Sequence, residues 1–188
     1  VLVGKERLSG TFMATALPGK GRRGIFGRDK ILEFMNENGD SARDIILKGD
    51  QENSLGFLMR EVIEERPEGR TMLEESPVDS KGSNGLIERA VGEVEGTIRC
   101  LFLGLADRLG RDLDAKERIV AFIPEYAAYL ENRRHRGEDG KVPYERASGK
   151  KPSVMGIEFG EKLLFKKRAG PKKAKIDSRW DYGMFVGV

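Results

Sequence analysis

Two carboxylates occupy positions where chemistry is possible. Asp50 follows Gly49 at the end of the apolar run Ile45-Ile46-Leu47, and Glu88 lies early in a long segment of helical apolar periodicity. An aspartate at the carboxyl end of a buried strand sits on the edge of an α/β sheet where ligands gather. With Ile87 taken as zero, the apolar stripe of the helix runs from about −40° to +40°, and Glu88 borders it at about 100°. Two carboxylates that converge in this way suit a hard divalent cation such as Mg²⁺, which takes oxygen ligands and keeps several waters. Each also has a plainer role. An aspartate after a strand serves as a turn or helix-cap residue, and a glutamate early in a helix answers the positive end of its dipole. Sulfur and imidazole chemistry is nearly absent, since Cys100 and His135 are single. An internal disulfide and a cysteine-based zinc site are excluded, and a reducing compartment is expected.

The cations are unevenly spread. Residues 1–100 carry 15 Lys+Arg against 18 Asp+Glu, whereas residues 101–188 carry 19 against 13. An acidic-leaning front and a basic tail suit a metal site beside a polyanion-binding surface, although a solvated basic tail gives the same counts.

The elements that must position these groups follow from apolar spacing. Residues 1–3 and 10–17 predict two strands around a turn at 5–9. Residues 29–38 predict a short helix closed by Gly39, and 43–47 a buried strand. A helix over 54–65 carries Leu55, Leu58, Met59, Val62 and Ile63 on one face, and a further strand covers 70–73. The longest helix runs from 84 to about 109. A second long one is expected from 115 to about 134, kinked or restarted at Pro124. Beyond Gly137, strand-like pieces at 162–165 and 184–188 flank a basic loop over 166–175. This order predicts an α/β layer fold with a mixed sheet. A chain of 188 residues, 38% hydrophobic, supports one core of ordinary size. No apolar run reaches the length of a bilayer crossing, and no targeting pattern opens the chain.

Four stretches in order carry a resemblance. They are Ile45-Ile46-Leu47-Lys48-Gly49-Asp50-Gln51-Glu52; Glu75-Ser76-Pro77 with Ser80-Lys81-Gly82-Ser83-Asn84-Gly85-Leu86-Ile87-Glu88-Arg89; Tyr129-Leu130-Glu131-Asn132-Arg133 with Asp139-Gly140-Lys141-Val142-Pro143-Tyr144-Glu145-Arg146 and Gly149-Lys150-Lys151-Pro152; and Phe159-Gly160-Glu161 through Trp180-Asp181-Tyr182-Gly183-Met184-Phe185-Val186-Gly187. Together they resemble the catalytic core of retroviral and retrotransposon integrases, the copia class in particular, as part of a retrovirus-related Pol polyprotein. The 37 residues between Asp50 and Glu88 are close to that family's aspartate-to-glutamate spacing. One departure is Gln51-Glu52-Asn53-Ser54, where the family often has Asn-Gly and a Glu-Phe pair, which bears on the substrate loop.

The resemblance implies a ribonuclease H-like mixed β-sheet flanked by helices, with a small C-terminal β module. Residues 1–136 would form a catalytic core lacking its first strand, 137–156 a linker, and 157–188 a basic β module. The implied activity is metal-dependent DNA strand transfer with two Mg²⁺ or Mn²⁺ ions held by three carboxylates. Asp50 would ligate or bridge the ions, and Glu88 would complete one shell. The first catalytic aspartate is expected upstream of Val1, so this fragment is expected to be inactive; Glu6 does not match that position. Lys81, Ser83 and Asn84 at a helix start suit phosphate, with Asn84 equally an N-cap. Arg89 suits a DNA contact or a helix-surface ion pair. Lys166, Lys167, Arg168, Lys172, Lys173 and Lys175 would track a DNA backbone or form a solvated hairpin tip. DNA and further copies of the chain are the expected partners, with no membrane and no small-molecule substrate. The place of action is expected to be intracellular and nuclear. Two rivals share these features: a non-catalytic nucleic-acid-binding module of retroelement origin, and ribonuclease H-type hydrolysis.

Overall fold

The computed structural model describes residues 1–19, 25–50, 52–66, 68–75, 85–167 and 179–188. Strand β1, Leu2–Lys5, pairs antiparallel with β2, Phe12–Thr15. Their turn is closed by Glu6, whose carboxylate accepts the Leu8 N–H at 2.7 Å and the Ser9 hydroxyl at 2.6 Å. Burial alone would raise the Glu6 pKa, but these hydrogen bonds and that from the Ser9 N–H outweigh it and hold the carboxyl below its ordinary range. Glu6 is a turn residue.

Helix α1, Ile25–Glu37, begins four residues ahead of the expected start at residue 29 and buries Gly27, Ile31 and Met35. Strand β3, Ile45–Gly49, leads into α2, Asn53–Glu65, and then into β4, Thr71–Glu75. β3 and β4 are parallel, with Ile45 opposite Thr71 and Gly49 opposite Glu75. A single buried arginine locks this unit. Arg66, beyond the end of α2, donates to the carbonyls of Asp40 and Arg43 at 2.7 Å each and to the Thr71 hydroxyl. The guanidinium fork spans the approach to β3 and the start of β4 together, so both strands leave one anchor in register.

Helix α3, Gly85–Leu109, is the longest element. The second long helix is shorter than expected. Residues 118–122 form a 3₁₀ turn, Arg118–Phe122, and α4 starts only at Ile123, ending at Arg134. Pro124 is the reason: lacking an N–H, it fits the first turn of a helix and not its interior. The short helix α5, Pro143–Ser148, was not expected; it begins on its proline and is capped by Gly149 at φ 69°. Strand β5, Lys162–Lys166, pairs antiparallel with β6, Trp180–Met184. β6 thus lies four residues ahead of the expected 184–188, because Met184 is already opposite Lys162 at the start of β5.

The chain is a mixed α/β protein. Among the described residues its strands form three two-stranded sheets and not one continuous mixed sheet. Phe12, Ala14, Ala90, Val94, Ala127 and Ala128 form one core cluster, placing α3 and α4 against β1–β2. Ile31, Met35, Leu58 and Val62 form another, and both Leu2 of β1 and Ile45 and Leu47 of β3 pack on it. A third, of Leu105, Ile123, Tyr126, Phe159 and Phe185, holds the β5–β6 hairpin. Among the described residues no helix is long and apolar enough to cross a membrane.

Candidate functional site

Asp50 stands at the carboxyl end of the parallel β3–β4 pair, exposed, immediately beyond Gly49. Packing explains the glycine. A Cβ on Gly49 would collide with Met59 Cε, lie 2.9 Å from Met59 Sδ and press on Leu55 at 3.2 Å. Helix α2 therefore rides directly under the strand end, and the missing side chain lets it approach. Beside this edge Lys48 pairs with Glu74 across the strands at 2.8 Å.

Glu88 is exposed in the first turn of α3, where its charge answers the helix dipole. Its neighbours Ile87 and Ala90 face the first core cluster, so the helix presents Glu88 away from that packing. α3 packs against β1 and α4. Among the described residues no group of three or more His, Cys, Asp or Glu is poised to hold a metal ion. In kind, the donors suit a hard cation, since both are exposed carboxylates. In number, they are two.

Of the cations, Arg89 forms an i,i+4 ion pair with Glu93 at 3.3 Å, the helix-surface arrangement the spacing allowed. Lys166 ends β5, exposed and opposite Trp180. Lys167 pairs with Asp181 at 3.0 Å and its N–H donates to the Arg179 carbonyl at 2.9 Å, closing the hairpin. Lys81, Ser83 and Asn84, and Arg168, Lys172, Lys173 and Lys175, lie outside the described residues.

The downstream motifs act as clamps. Asn132 accepts the Phe12 N–H at 2.7 Å and donates to the Phe12 carbonyl at 2.8 Å, so one side chain covers the outer edge of β2. Thr97 of α3 donates to Glu131 of α4. The Arg133 guanidinium lies over two rings, 3.9 Å from the Tyr129 centroid and 4.5 Å from that of Tyr144. Arg146 donates to Asp139 at 2.5 and 2.9 Å and to the Ser9 carbonyl at 3.1 Å, tying α5 to the β1–β2 turn.

One feature of the hairpin was not read from the sequence. Lys162 Nζ lies 4.3 Å from the Tyr182 ring centroid, on the face shared by Lys166 and Trp180. Period-two alternation in Lys-Leu-Leu-Phe-Lys and Trp-Asp-Tyr-Gly-Met carried that signal, but it needs the cross-strand register to be read.

No protein-family model matches the sequence, and no curated protein matches it. Among solved structures the chain is similar to a chain of the simian T-cell lymphotropic virus intasome in complex with PP2A regulatory subunit B56 gamma. The TM-score is 0.56 at 14% identity, covering 95% of this chain and 59% of that one. The chain thus spans about three fifths of that neighbour's length. A second neighbour is the catalytic core domain of BIV integrase, with TM-score 0.47 and 17% identity over 77% of this chain and 82% of that one. The chain shares its overall fold with that intasome chain.

Proposed function

We propose that this chain is the catalytic-core portion of a copia-type retroelement integrase that joins DNA ends, followed by a small basic β module from residue 157. The observation that carries the reading is Asp50, held by Gly49 and α2 at the carboxyl edge of a parallel strand pair, in a fold similar to that of the intasome chain. The separation of the sheets supports it. β1 and β3 pack on one cluster without pairing to each other, and Asn132 occupies the outer edge of β2. A strand between β1 and β3 would unite both pairs into one mixed ribonuclease H-like sheet. The resemblance implies such a strand, carrying the remaining catalytic aspartate.

In the intact enzyme Asp50 and Glu88 would hold two Mg²⁺ or Mn²⁺ ions together with that aspartate. When bound, the ions would supply activation of a water or DNA 3′-hydroxyl and stabilisation of the leaving oxygen in an in-line displacement. The protein's own contribution is placement: Gly49 fixes Asp50, and the packing of Ile87 fixes the turn bearing Glu88. Lys81, Ser83, Asn84, Arg89 and the loop from Lys166 to Lys175 would contact DNA phosphates in an enzyme that works as a homo-oligomer.

The test is Mn²⁺-dependent joining of a DNA end by a chain extended upstream through the proposed strand. Asp50→Asn and Glu88→Gln should each abolish joining with duplex binding retained, and the 188-residue chain alone should not join ends. Unchanged joining in Asp50→Asn would remove it as a metal ligand. A second reading, a non-catalytic nucleic-acid-binding module, draws on the excess of cations over residues 101–188, 19 Lys+Arg against 13 Asp+Glu. An upstream segment without aspartate at that strand, combined with salt-sensitive DNA binding, would favour it. Cleavage of an RNA–DNA hybrid in preference to DNA joining would instead favour ribonuclease H-type hydrolysis.

A further inference from the structure

The β5–β6 hairpin has two unlike faces. Residues directly opposite in an antiparallel pair share a face, and alternate residues along a strand return to it. The pairings Lys162–Met184, Leu164–Tyr182 and Lys166–Trp180 therefore lie together on one side. The other side carries Leu163, which packs on the cluster around Tyr126 and Phe159, and Phe165, whose ring covers Gly183. That inner side meets the protein at Leu163, whereas Phe165 remains 49% exposed. The outer side faces solvent: Trp180 is 53% exposed, Tyr182 63% and Leu164 57%.

Among the described residues, charge on the outer face has one sign. Lys162 and Lys166 stand four residues apart, about 13 Å along the strand. The only carboxylate in the two strands, Asp181, points to the inner side and pairs with Lys167. Among the described residues of this face, large exposed rings stand with cations and no carboxylate, which suits a ligand that has flat π-faces and a negative backbone. Paired bases in a duplex bury their faces. Unpaired bases do not.

We propose that this face is a stacking platform for single-stranded DNA, with bases on Trp180 and Tyr182 and the phosphate backbone along Lys162 and Lys166. The assignment rests on the DNA-binding reading above and specifies within it a site for unpaired strands.

Trp180 is the only tryptophan of the chain, so its emission reports the site directly. Titration of the 188-residue protein with a short oligo(dT) should quench that emission. Trp180→Ala and Tyr182→Ala should each weaken oligo(dT) binding, followed by anisotropy, roughly 5- to 100-fold. Trp180→Phe should keep most of the affinity, and a blunt duplex should bind all variants alike. Absence of quenching with unchanged affinity in Trp180→Ala overturns the platform; normal duplex binding in that result leaves the DNA-binding reading standing. Failure to bind either DNA overturns both. Tighter binding of oligo(U) than of oligo(dT) overturns the assignment to DNA. A dimer in sedimentation equilibrium that Tyr182→Glu dissociates assigns the face to a second copy of the chain and likewise overturns it.

Discussion

Asp50 and Glu117 show how differently single carboxylates are set. Asp50 depends on a neighbour with no side chain: Gly49 lets Met59 and Leu55 close under the strand end. Gly49→Val should therefore force α2 away, destabilising the fold by roughly 1–3 kcal/mol in urea denaturation. Glu117 instead depends on direct partners. The Arg111 guanidinium donates to it at 2.7 Å through both terminal nitrogens, and with the Asp114 N–H holds its pKa at about 2. A depressed folded-state pKa contributes stability that is present above the unfolded value of about 4.3 and is lost as pH falls through about 2. A carbon-detected NMR titration should show Glu117 protonating near pH 2, and in Arg111→Gln near its ordinary value. The pair is exposed, so the effect on global stability is small.

Elements are joined by few side chains, and these make their own predictions. Asn132 substitutes for a strand neighbour at Phe12, with both main-chain groups satisfied by one amide. Asn132→Ala leaves that N–H and carbonyl unpaired beside a buried ring and should cost about 1–3 kcal/mol. Asn132→Asp keeps the acceptor but sets a carboxylate oxygen against the Phe12 carbonyl, so in urea denaturation it should cost at least as much. At the other end of α4, Tyr126 meets the Phe185 ring edge-on at 5.6 Å, while the Phe185 N–H donates to the Glu161 carbonyl at 2.9 Å. Phe185→Ala removes the anchor of β5–β6 at a cost of about 3 kcal/mol. Limited proteolysis should then cut around residues 150–160 first, leaving the α3–α4 packing intact.

Across the whole molecule, the two halves of the chain differ in charge, and the β5–β6 hairpin belongs to the positive half. Binding to duplex DNA through such groups releases counterions, so affinity should fall steadily with salt. Lys166→Gln should weaken duplex binding about equally for all sequences and reduce the log–log salt slope by about one. A slope unchanged in this variant would place Lys166 away from the phosphates. Ile98 and Leu101 of α3 pack on both the β1–β2 cluster and the hairpin cluster, which ties the basic half mechanically to the rest.

Periodicity along the chain determined most elements, because a buried stripe needs only local spacing to be seen. It placed β1 to β4, α2 and α3 closely, and it singled out Asp50 and Glu88 as strand-end and helix-start carboxylates. Where proline intervened it misjudged extent: α4 starts at Ile123, and α5 escaped notice as a single turn and a half. Only the tertiary structure decided which edges meet. It separated the strands into three pairs, turned the Tyr129–Arg133 and Asp139–Arg146 motifs into clamps, and set Lys162, Lys166, Trp180 and Tyr182 on one face. Those outcomes depend on contacts between residues distant in sequence and on cross-strand register, and neither leaves a periodic trace in the chain itself.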